Sequence, residues 1–223
     1  MTARILAIDT TSDFGSLALA EGGRIAEEVA LHSSEGFGHI LFGQIEGLLE
    51  RHGWAIGEVD CLAAAAGPGS FTGVRVGLAA AKGLADALGK PIVAVSNLRA
   101  LATFGSHAVR APLLDARRGE IYGAVYDAAG NLMRDEVVMK FPDWLNQIPA
   151  GVEFLSPDPG LFLPSLRATG WENAKLTGTP RHLAAAVARI AARDFPDGRA
   201  QDPLWVDANY VRRPDAELLW KDE

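Results

Sequence analysis

The pattern that decides the fold starts with Ile5-Leu6-Ala7-Ile8-Asp9, a short apolar run that ends in an aspartate. A run of this kind predicts a strand that is buried on both faces. Strand-like stretches follow at residues 15–20 and 24–31, and between them lies the turn sequence Glu21-Gly22-Gly23. Glycine suits such a hairpin turn because it tolerates positive φ. The chain is therefore predicted to open with three strands.

Helices and strands alternate after this opening. Apolar residues recur at helical spacing over residues 35–51, and residues 74–88 form an alanine-rich helical stretch that ends before Gly89. Apolar runs at residues 60–66 and 92–95 predict further strands. This half of the chain is thus predicted to be an α/β unit.

The second half repeats this order. Pro112-Leu113-Leu114-Asp115 is again an apolar run that ends in an aspartate, and two strand-like stretches follow it. Near the end, Thr179 is predicted to cap a helix with Pro180 at its first position. A duplicated order of this kind is the layout of the actin-like and sugar-kinase-like ATPase fold. We expect an N-terminal lobe at residues 1–107 and a smaller C-terminal lobe at residues 108–223.

Composition excludes several classes of protein. The chain has 223 residues, a formal net charge of −7 and one cysteine, Cys61, so it can form neither an intramolecular disulfide nor a cysteine zinc site. The acidic balance argues against a surface that is basic throughout and binds nucleic acid. No apolar run approaches the ~20 residues that span a bilayer, and the start lacks a signal-peptide pattern. We expect a cytoplasmic protein.

A glycine-rich loop is the strongest local motif. Its residues are Gly67, Pro68, Gly69, Ser70, Phe71, Thr72 and Gly73, and they lie between a predicted strand and a predicted helix. Backbone N–H groups at such a helix start can bind an anion. The spacing matches neither a dinucleotide fingerprint nor a P-loop, however. The alternative is a tight turn that needs glycine for its geometry.

The turn after the first strand contains Asp9, Thr10 and Thr11. In the ATPase fold this position can hold a metal-bridging aspartate and hydroxyls for phosphate, whereas the alternative is a turn capped by its own side chains. The matching turn in the second half contains Asp115 and Arg117. A phosphate loop needs small residues there, so the arginines of this turn indicate a degenerate phosphate cleft. They leave open whether they attract an anion, fill the cleft or pair with the nearby Glu120.

No pattern of nucleophile, base or metal ligands is evident. The five histidines form no H-E-x-x-H pair, and no G-x-S-x-G elbow is present. Cys61 lies within an apolar strand and is predicted to pack as a small hydrophobic residue. We therefore expect no metal site, whereas the sequence leaves open a Ser-His-Asp triad that does not use such an elbow.

These motifs together resemble the TsaB (YeaZ) family. The resemblance rests on Gly67-Pro68-Gly69-Ser70-Phe71-Thr72-Gly73-Val74-Arg75, on residues 5–12, on residues 114–122 and on the tail Asn209-Tyr210-Val211-Arg212-Arg213. Their order and spacing cover essentially the whole chain. The glycine-rich motif is specific, and the tail is weak.

The resemblance implies a function that the residues alone do not reveal. The family is a subunit of the bacterial machinery that makes N6-threonylcarbamoyladenosine at position 37 of tRNAs that read codons beginning with A. Its members are taken as non-catalytic, and they dimerise with the paralogous TsaD subunit, which holds the metal and the transferase site. The ATPase TsaE joins the complex. We expect no cofactor, with a weakly bound nucleotide at a subunit interface left open, contact with tRNA only through the complex, and no membrane association.

The resemblance also implies a partner interface on the first two helices, residues 35–51 and 74–88. The alternative is that their wide apolar stripes pack inside the chain. An isolated chain with such a face would form a homodimer. The sequence departs from the family at Phe37-Gly38, where the family usually has His-Ser or His-Thr. The interface is predicted to centre on Phe37, Leu41, Ile45, Leu48, Arg75, Leu78 and Lys82.

Two enzymatic alternatives compete with a scaffold subunit. A small ATP-dependent kinase or ATPase would use Asp9, Thr10 and Asp115 on the phosphate side. A glycoprotease-like peptidase would need a nucleophile with a base, or a metal site, and the sequence shows neither.

Overall fold

The computed structural model describes residues 2–212. Within that range the chain divides into two units, one made of residues 2–100 and 181–208 and the other of residues 101–180 and 209–212. Arg213 of the predicted tail motif and the rest of the predicted C-terminal lobe beyond it lie outside the described residues. In chain order the elements are β1 (Arg4–Asp9), β2 (Ser16–Glu21), β3 (Arg24–Ala30), α1 (Leu41–Arg51), β4 (Cys61–Ala65), α2 (Phe71–Leu88), β5 (Ile92–Val95), α3 (Asn97–Ala102), β6 (Val109–Arg117), β7 (Glu120–Asp127), β8 (Leu132–Lys140), α4 (Phe141–Leu145), β9 (Glu153–Ser156), α5 (Pro159–Arg167), β10 (Lys175–Gly178) and α6 (Ala184–Asp194).

The two sheets have the same topology. The first has the order β3-β2-β1-β4-β5, and the second has the order β8-β7-β6-β9-β10. In each sheet the first three strands in sequence are antiparallel, and the remaining two pair in parallel. The duplication that was predicted from element order is therefore confirmed by strand pairing.

Helices cover both faces of the first sheet. Because side chains alternate along a strand, Leu6, Leu17 and Leu62 face one side, where they share a buried core with residues of α1 and α2. The other face carries small residues such as Ala63, and α6 packs against β1, β2 and β4. The alanines of α6 let the helix axis approach this alanine-lined face closely.

Helix α6 does not follow the predicted division of the chain between residues 107 and 108. The helix lies in the second half of the sequence but belongs to the first unit. It starts at Ala184 rather than after Thr179. The backbone N–H of Ala184 donates to Ser16 Oγ at 3.0 Å, and that of Ala185 donates to Glu28 Oε1 at 2.8 Å. Side chains of β2 and β3 therefore cap the helix and determine where it starts.

The first helix is shorter than predicted. It starts at Leu41, so the prediction of helix over residues 35–40 is wrong. Phe37 instead turns toward the sheet, where its ring lies so close to Gly15 that a Cβ there would come within 2.8 Å. By contrast α2 starts earlier than predicted, at Phe71, since Ser70 Oγ accepts from the Gly73 N–H at 3.3 Å and caps it.

The second unit has its own aromatic core, built around Phe154 with Phe141, Trp144 and Phe162. Next to it in the chain, the buried Glu153 accepts from the backbone N–H of His107 at 2.8 Å and from Thr177 Oγ1 at 2.6 Å. Within residues 2–212, none of the helices combines the length with the apolar character that spanning a bilayer requires.

Candidate functional site

The hydroxyl groups of the turn after β1 form hydrogen bonds to other groups of the same chain. Asp9 Oδ1 accepts from both the backbone N–H and the hydroxyl of Thr11, at 2.9 and 2.6 Å. The Asn97 amide donates to Thr11 Oγ1 at 2.5 Å, and Thr10 Oγ1 donates to the carbonyl oxygen of Gly73 at 2.6 Å. Both threonine hydroxyls are thus already engaged, although a phosphate in this turn would need them as donors.

The glycine-rich loop supports this same turn. An added Cβ at Gly69 would lie 2.5 Å from the carbonyl oxygen of Thr11, and one at Gly73 or Gly77 would overlap Thr10. The Ser70 N–H also donates to the Thr11 carbonyl oxygen at 2.7 Å. The glycines therefore let the start of α2 pack directly against the turn. This geometry favours the alternative in which the glycines allow the backbone of α2 to pack close to the turn, rather than the one in which the loop binds an anion.

Asp9 lies under the start of α6 and is 1 % exposed. Burial raises the pKa of its carboxyl, and hydrogen bonds from Thr11 and from the backbone of Leu183 oppose that shift. Oδ2 is buried and has no hydrogen-bond partner of normal geometry among the described residues. Asp9, Ser16 and Glu28 therefore present three oxygen acceptors to the first N–H groups of α6, one from each of the first three strands.

The matching turn of the second unit is not a phosphate loop. Strand β6 continues through Asp115 to Arg117, so Asp115 lies within the strand rather than at its end, where the sequence pattern placed it. Arg117 and Arg118 adopt left-handed φ values of 65° and 56° in the tight hairpin that leads to β7. The Arg117 side chain is 85 % exposed and lies 3.5 Å from Asp115. Glu120, one of the partners considered for the arginines of this turn, forms an ion pair with Arg212.

Most residues of the predicted partner interface lie inside the chain. Their side chains point from α1 and α2 toward the first sheet, where a partner cannot reach them while the chain is folded. Arg75 is exposed, with its guanidinium 3.2 Å from the centre of the Phe71 ring, and Phe37 and Lys82 are half-buried. The exposed fractions of the buried members are 1 % for Leu41, 3 % for Ile45, 0 % for Leu48 and 6 % for Leu78.

The outward faces of the same helices carry a different set of residues. On α1, Phe42 is 56 % exposed and Gly43 follows it; on α2, Phe71 is 46 % exposed, and Ala79 and Gly83 are exposed further along the helix. A Cβ added at Gly43 or Gly83 would meet nothing within 4 Å. We call this surface, defined by Phe42, Gly43, Phe71, Ala79 and Gly83, the outer helix face. Sequence reasoning missed it because each helix marks it with only one exposed aromatic residue and with small residues among polar ones.

Other reactive groups are inert or scattered. Burial raises the pKa of the Cys61 thiol to about 12, so it stays protonated at neutral pH. Within residues 2–212, no three His, Cys, Asp or Glu side chains lie together as a metal-binding group.

Comparisons with known proteins agree with the motifs. Residues 20–192 match the family model described as TsaD: tRNA N6-adenosine threonylcarbamoyltransferase. The tRNA threonylcarbamoyladenosine biosynthesis protein TsaB of Bacillus subtilis is 35 % identical over 229 residues, which cover 97 % of each chain. YeaZ from Pseudomonas aeruginosa superposes with a TM-score of 0.76 at 26 % identity, over 93 % of this chain and 99 % of that one.

A more distant structure shares the fold alone. It is the activator of 2-hydroxyisocaproyl-CoA dehydratase from Clostridium difficile, with a TM-score of 0.51 at 10 % identity over 89 % of this chain and 97 % of that one. The paired sheets and these neighbours confirm the duplicated actin-like α/β fold, of which the second unit is the smaller. The similarity along nearly the whole chain, and the motifs that carry it, show that this chain belongs to the TsaB (YeaZ) family.

Proposed function

We propose that this chain is the non-catalytic scaffold subunit of the machinery that makes N6-threonylcarbamoyladenosine in tRNA. It binds and organises a TsaD-type transferase and does not transfer the group itself. The proposal rests on family membership and on one structural observation, the outer helix face. There, α1 carries the exposed Phe42 next to Gly43, and α2 carries the exposed Phe71 at its start and Gly83 about three turns later; both of these glycines have open space around them.

The state of the first turn supports a non-catalytic role. A kinase or ATPase of this fold needs donors for phosphate, yet Thr10 and Thr11 already hydrogen-bond to Gly73, Asp9 and Asn97. The second turn is a tight hairpin that leaves no comparable loop. Nucleotide binding at this turn would therefore require breaking internal hydrogen bonds, each of which contributes ~0.5–1.5 kcal/mol net.

The outer helix face suits a helical partner. Small residues such as Gly43, Ala79 and Gly83 allow a partner helix to approach the backbone closely, and Phe42 and Phe71 add apolar area that pairing would remove from water. A symmetric homodimer of the isolated chain and a heterodimer with the transferase would then use the same face. TsaE would join the assembled complex. With a net charge of −7, this subunit would contact tRNA only indirectly, since phosphate contacts need basic surfaces.

The test is a binding titration with a substitution that fills the outer helix face. Gly83→Leu adds bulk to the exposed side of α2, at a position where an added Cβ would meet nothing within 4 Å. Gly160→Leu is the matched control, because Gly160 also lies in a helix with open space, in α5 of the second unit. Calorimetry with the TsaD-type protein of the same organism measures pairing, and circular dichroism verifies that both variants fold.

The proposal predicts that the wild-type chain and Gly160→Leu bind the transferase with equal affinity and that Gly83→Leu loses at least tenfold. Sedimentation of the isolated chain should show the same ranking for self-association. Equal binding by all three proteins would refute the outer helix face, and no binding by the wild type would refute the scaffold role.

A further inference from the structure

Leu204 and Trp205 are the most exposed large apolar side chains that the described structure contains. Their exposed fractions are 73 % and 75 %, and they are consecutive residues of a short 3-10 helix, Pro203–Trp205. A single exposed leucine is ordinary on a protein surface. An adjacent leucine and tryptophan, both about three-quarters exposed, form an apolar projection, which is a feature typical of interaction sites.

The projection is held in place on both sides. Before it, Gln201 exchanges two backbone hydrogen bonds with Ile92 of β5, at 2.8 and 2.9 Å. Asp202 Oδ1 accepts from the Leu204 N–H at 2.8 Å and caps the short helix. After it, Val206 is fully buried, and its carbonyl oxygen accepts from Lys82 Nζ at 2.6 Å. The backbone under Leu204 and Trp205 is therefore preorganised, which lowers the entropy cost of binding.

The projection borders the outer helix face. The short helix packs against α2, and Lys82, which bonds to Val206, lies at the boundary between the buried and exposed sides of α2. Successive helical residues are rotated by about 100°, so the exposed Ala79 and Asp86 lie roughly 60° and 40° from Lys82, on the side of Gly83. The outer helix face and the projection thus adjoin on one unit of the protein.

Charge around the projection indicates what kind of partner surface it fits. Exposed aspartates lie on both sides of it in sequence, Asp202 and Asp207. Burying the indole next to two carboxylates favours a pocket whose rim supplies cations. It disfavours an anionic lipid surface, which would repel the same carboxylates.

We propose that Leu204 and Trp205 are a second anchor of the pairing surface, which inserts into an apolar pocket with a basic rim on the partner subunit. This inference rests on the proposed function, because it assigns the projection to the same transferase partner that covers the outer helix face. Tryptophan at such a position is the residue type that most often dominates interface energetics.

The test is calorimetric titration of the TsaD-type protein with single-residue variants of the full chain. Trp205→Ala and Leu204→Ala remove the projection, and Leu161→Ala is the control, since Leu161 is 59 % exposed but lies in the second unit. We expect Trp205→Ala to raise the Kd at least tenfold and Leu204→Ala severalfold, with no change for Leu161→Ala. Asp207→Asn should weaken binding and reduce its dependence on salt.

The outcomes separate this inference from the proposed function. If Gly83→Leu binds more weakly and Trp205→Ala binds as tightly as the wild type, the anchor is wrong and the scaffold role stands. Unchanged affinity in both, or no binding by the wild type, would overturn both. Partition of the wild type, but not of Trp205→Ala, onto vesicles of phosphatidylglycerol and phosphatidylcholine would assign the projection to a membrane and also overturn the anchor.

Discussion

Alanine at Gly73 tests whether the glycine-rich loop exists to let α2 approach the turn after β1. A methyl group at this position would come closer than 3.0 Å to the carbonyl oxygen of Thr10, which is rigid backbone. The same substitution at Gly83 of the same helix meets nothing. The pair Gly73→Ala and Gly83→Ala therefore separates packing from helix propensity.

The two substitutions are expected to change the free energy of unfolding in opposite directions. Replacing glycine by alanine within a helix stabilises it by about 1 kcal/mol, and Gly83→Ala should show that gain. At Gly73 the new methyl must displace the turn, and overpacking of this kind costs ~1–3 kcal/mol. The displacement also strains the Thr10 Oγ1 bond to Gly73 and the Ser70 bond to Thr11, at ~0.5–1.5 kcal/mol each. The net expectation for Gly73→Ala is a loss of about 3 kcal/mol.

Urea unfolding followed by circular dichroism measures both variants against the wild type. The midpoint should fall for Gly73→Ala and rise slightly for Gly83→Ala, with equal slopes. If Gly73→Ala is as stable as Gly83→Ala, then the loop does not pack against the turn, and the assignment of the motif to backbone approach is wrong.

Three further predictions concern the chain's internal contacts. The pKa of the Glu153 carboxyl is raised by burial, but hydrogen bonds lower it further, to about 2. Their donors are the side chains of Thr177 and Lys175 and the backbone N–H groups of His107 and Ser106. Glu153→Gln should therefore cost up to about 3 kcal/mol at pH 7, and the difference from the wild type should disappear as the pH falls from ~4.5 toward 2, measured by urea unfolding at each pH. Leu41→Glu buries an unpaired charge and should cost more than about 3 kcal/mol; a native thermal transition would contradict the core position of Leu41. Ala63→Leu overfills the face under α6 and should lower stability by ~1–3 kcal/mol in calorimetry, whereas a stability gain would show that this face has room.

Much of the fold could be predicted because each strand carries a local signal. The apolar run that ends at Asp9 predicts the first strand, and the turn Gly22-Gly23 predicts the hairpin that follows. The repeated order of elements predicts the duplicated topology. The start of α6 could not be predicted, since its capping groups, Ser16 and Glu28, lie far away in sequence. The local tendency of Thr179 and Pro180 to start a helix is overridden by this capping from the sheet.

The candidate site was harder to predict for a different reason. Helical periodicity identifies which side of a helix is buried, but not whether its own sheet or a partner covers it. Leu41, Ile45 and Leu48 are the apolar stripe of α1, and the chain's own sheet covers them. The surface that remains open is marked by Phe42 and by glycines, which no periodic pattern picks out.

The most direct test of the scaffold role is tRNA threonylcarbamoylation reconstituted with purified TsaD- and TsaE-type proteins of the same organism. The chain is added as wild type, Gly83→Leu or Gly160→Leu, and modified tRNA is quantified by mass spectrometry of its nucleosides. We expect modification with the wild type and Gly160→Leu, a loss of at least tenfold with Gly83→Leu, and none with the chain alone. Full modification with Gly83→Leu, or modification by the chain alone, would contradict a non-catalytic subunit that acts through its outer helix face.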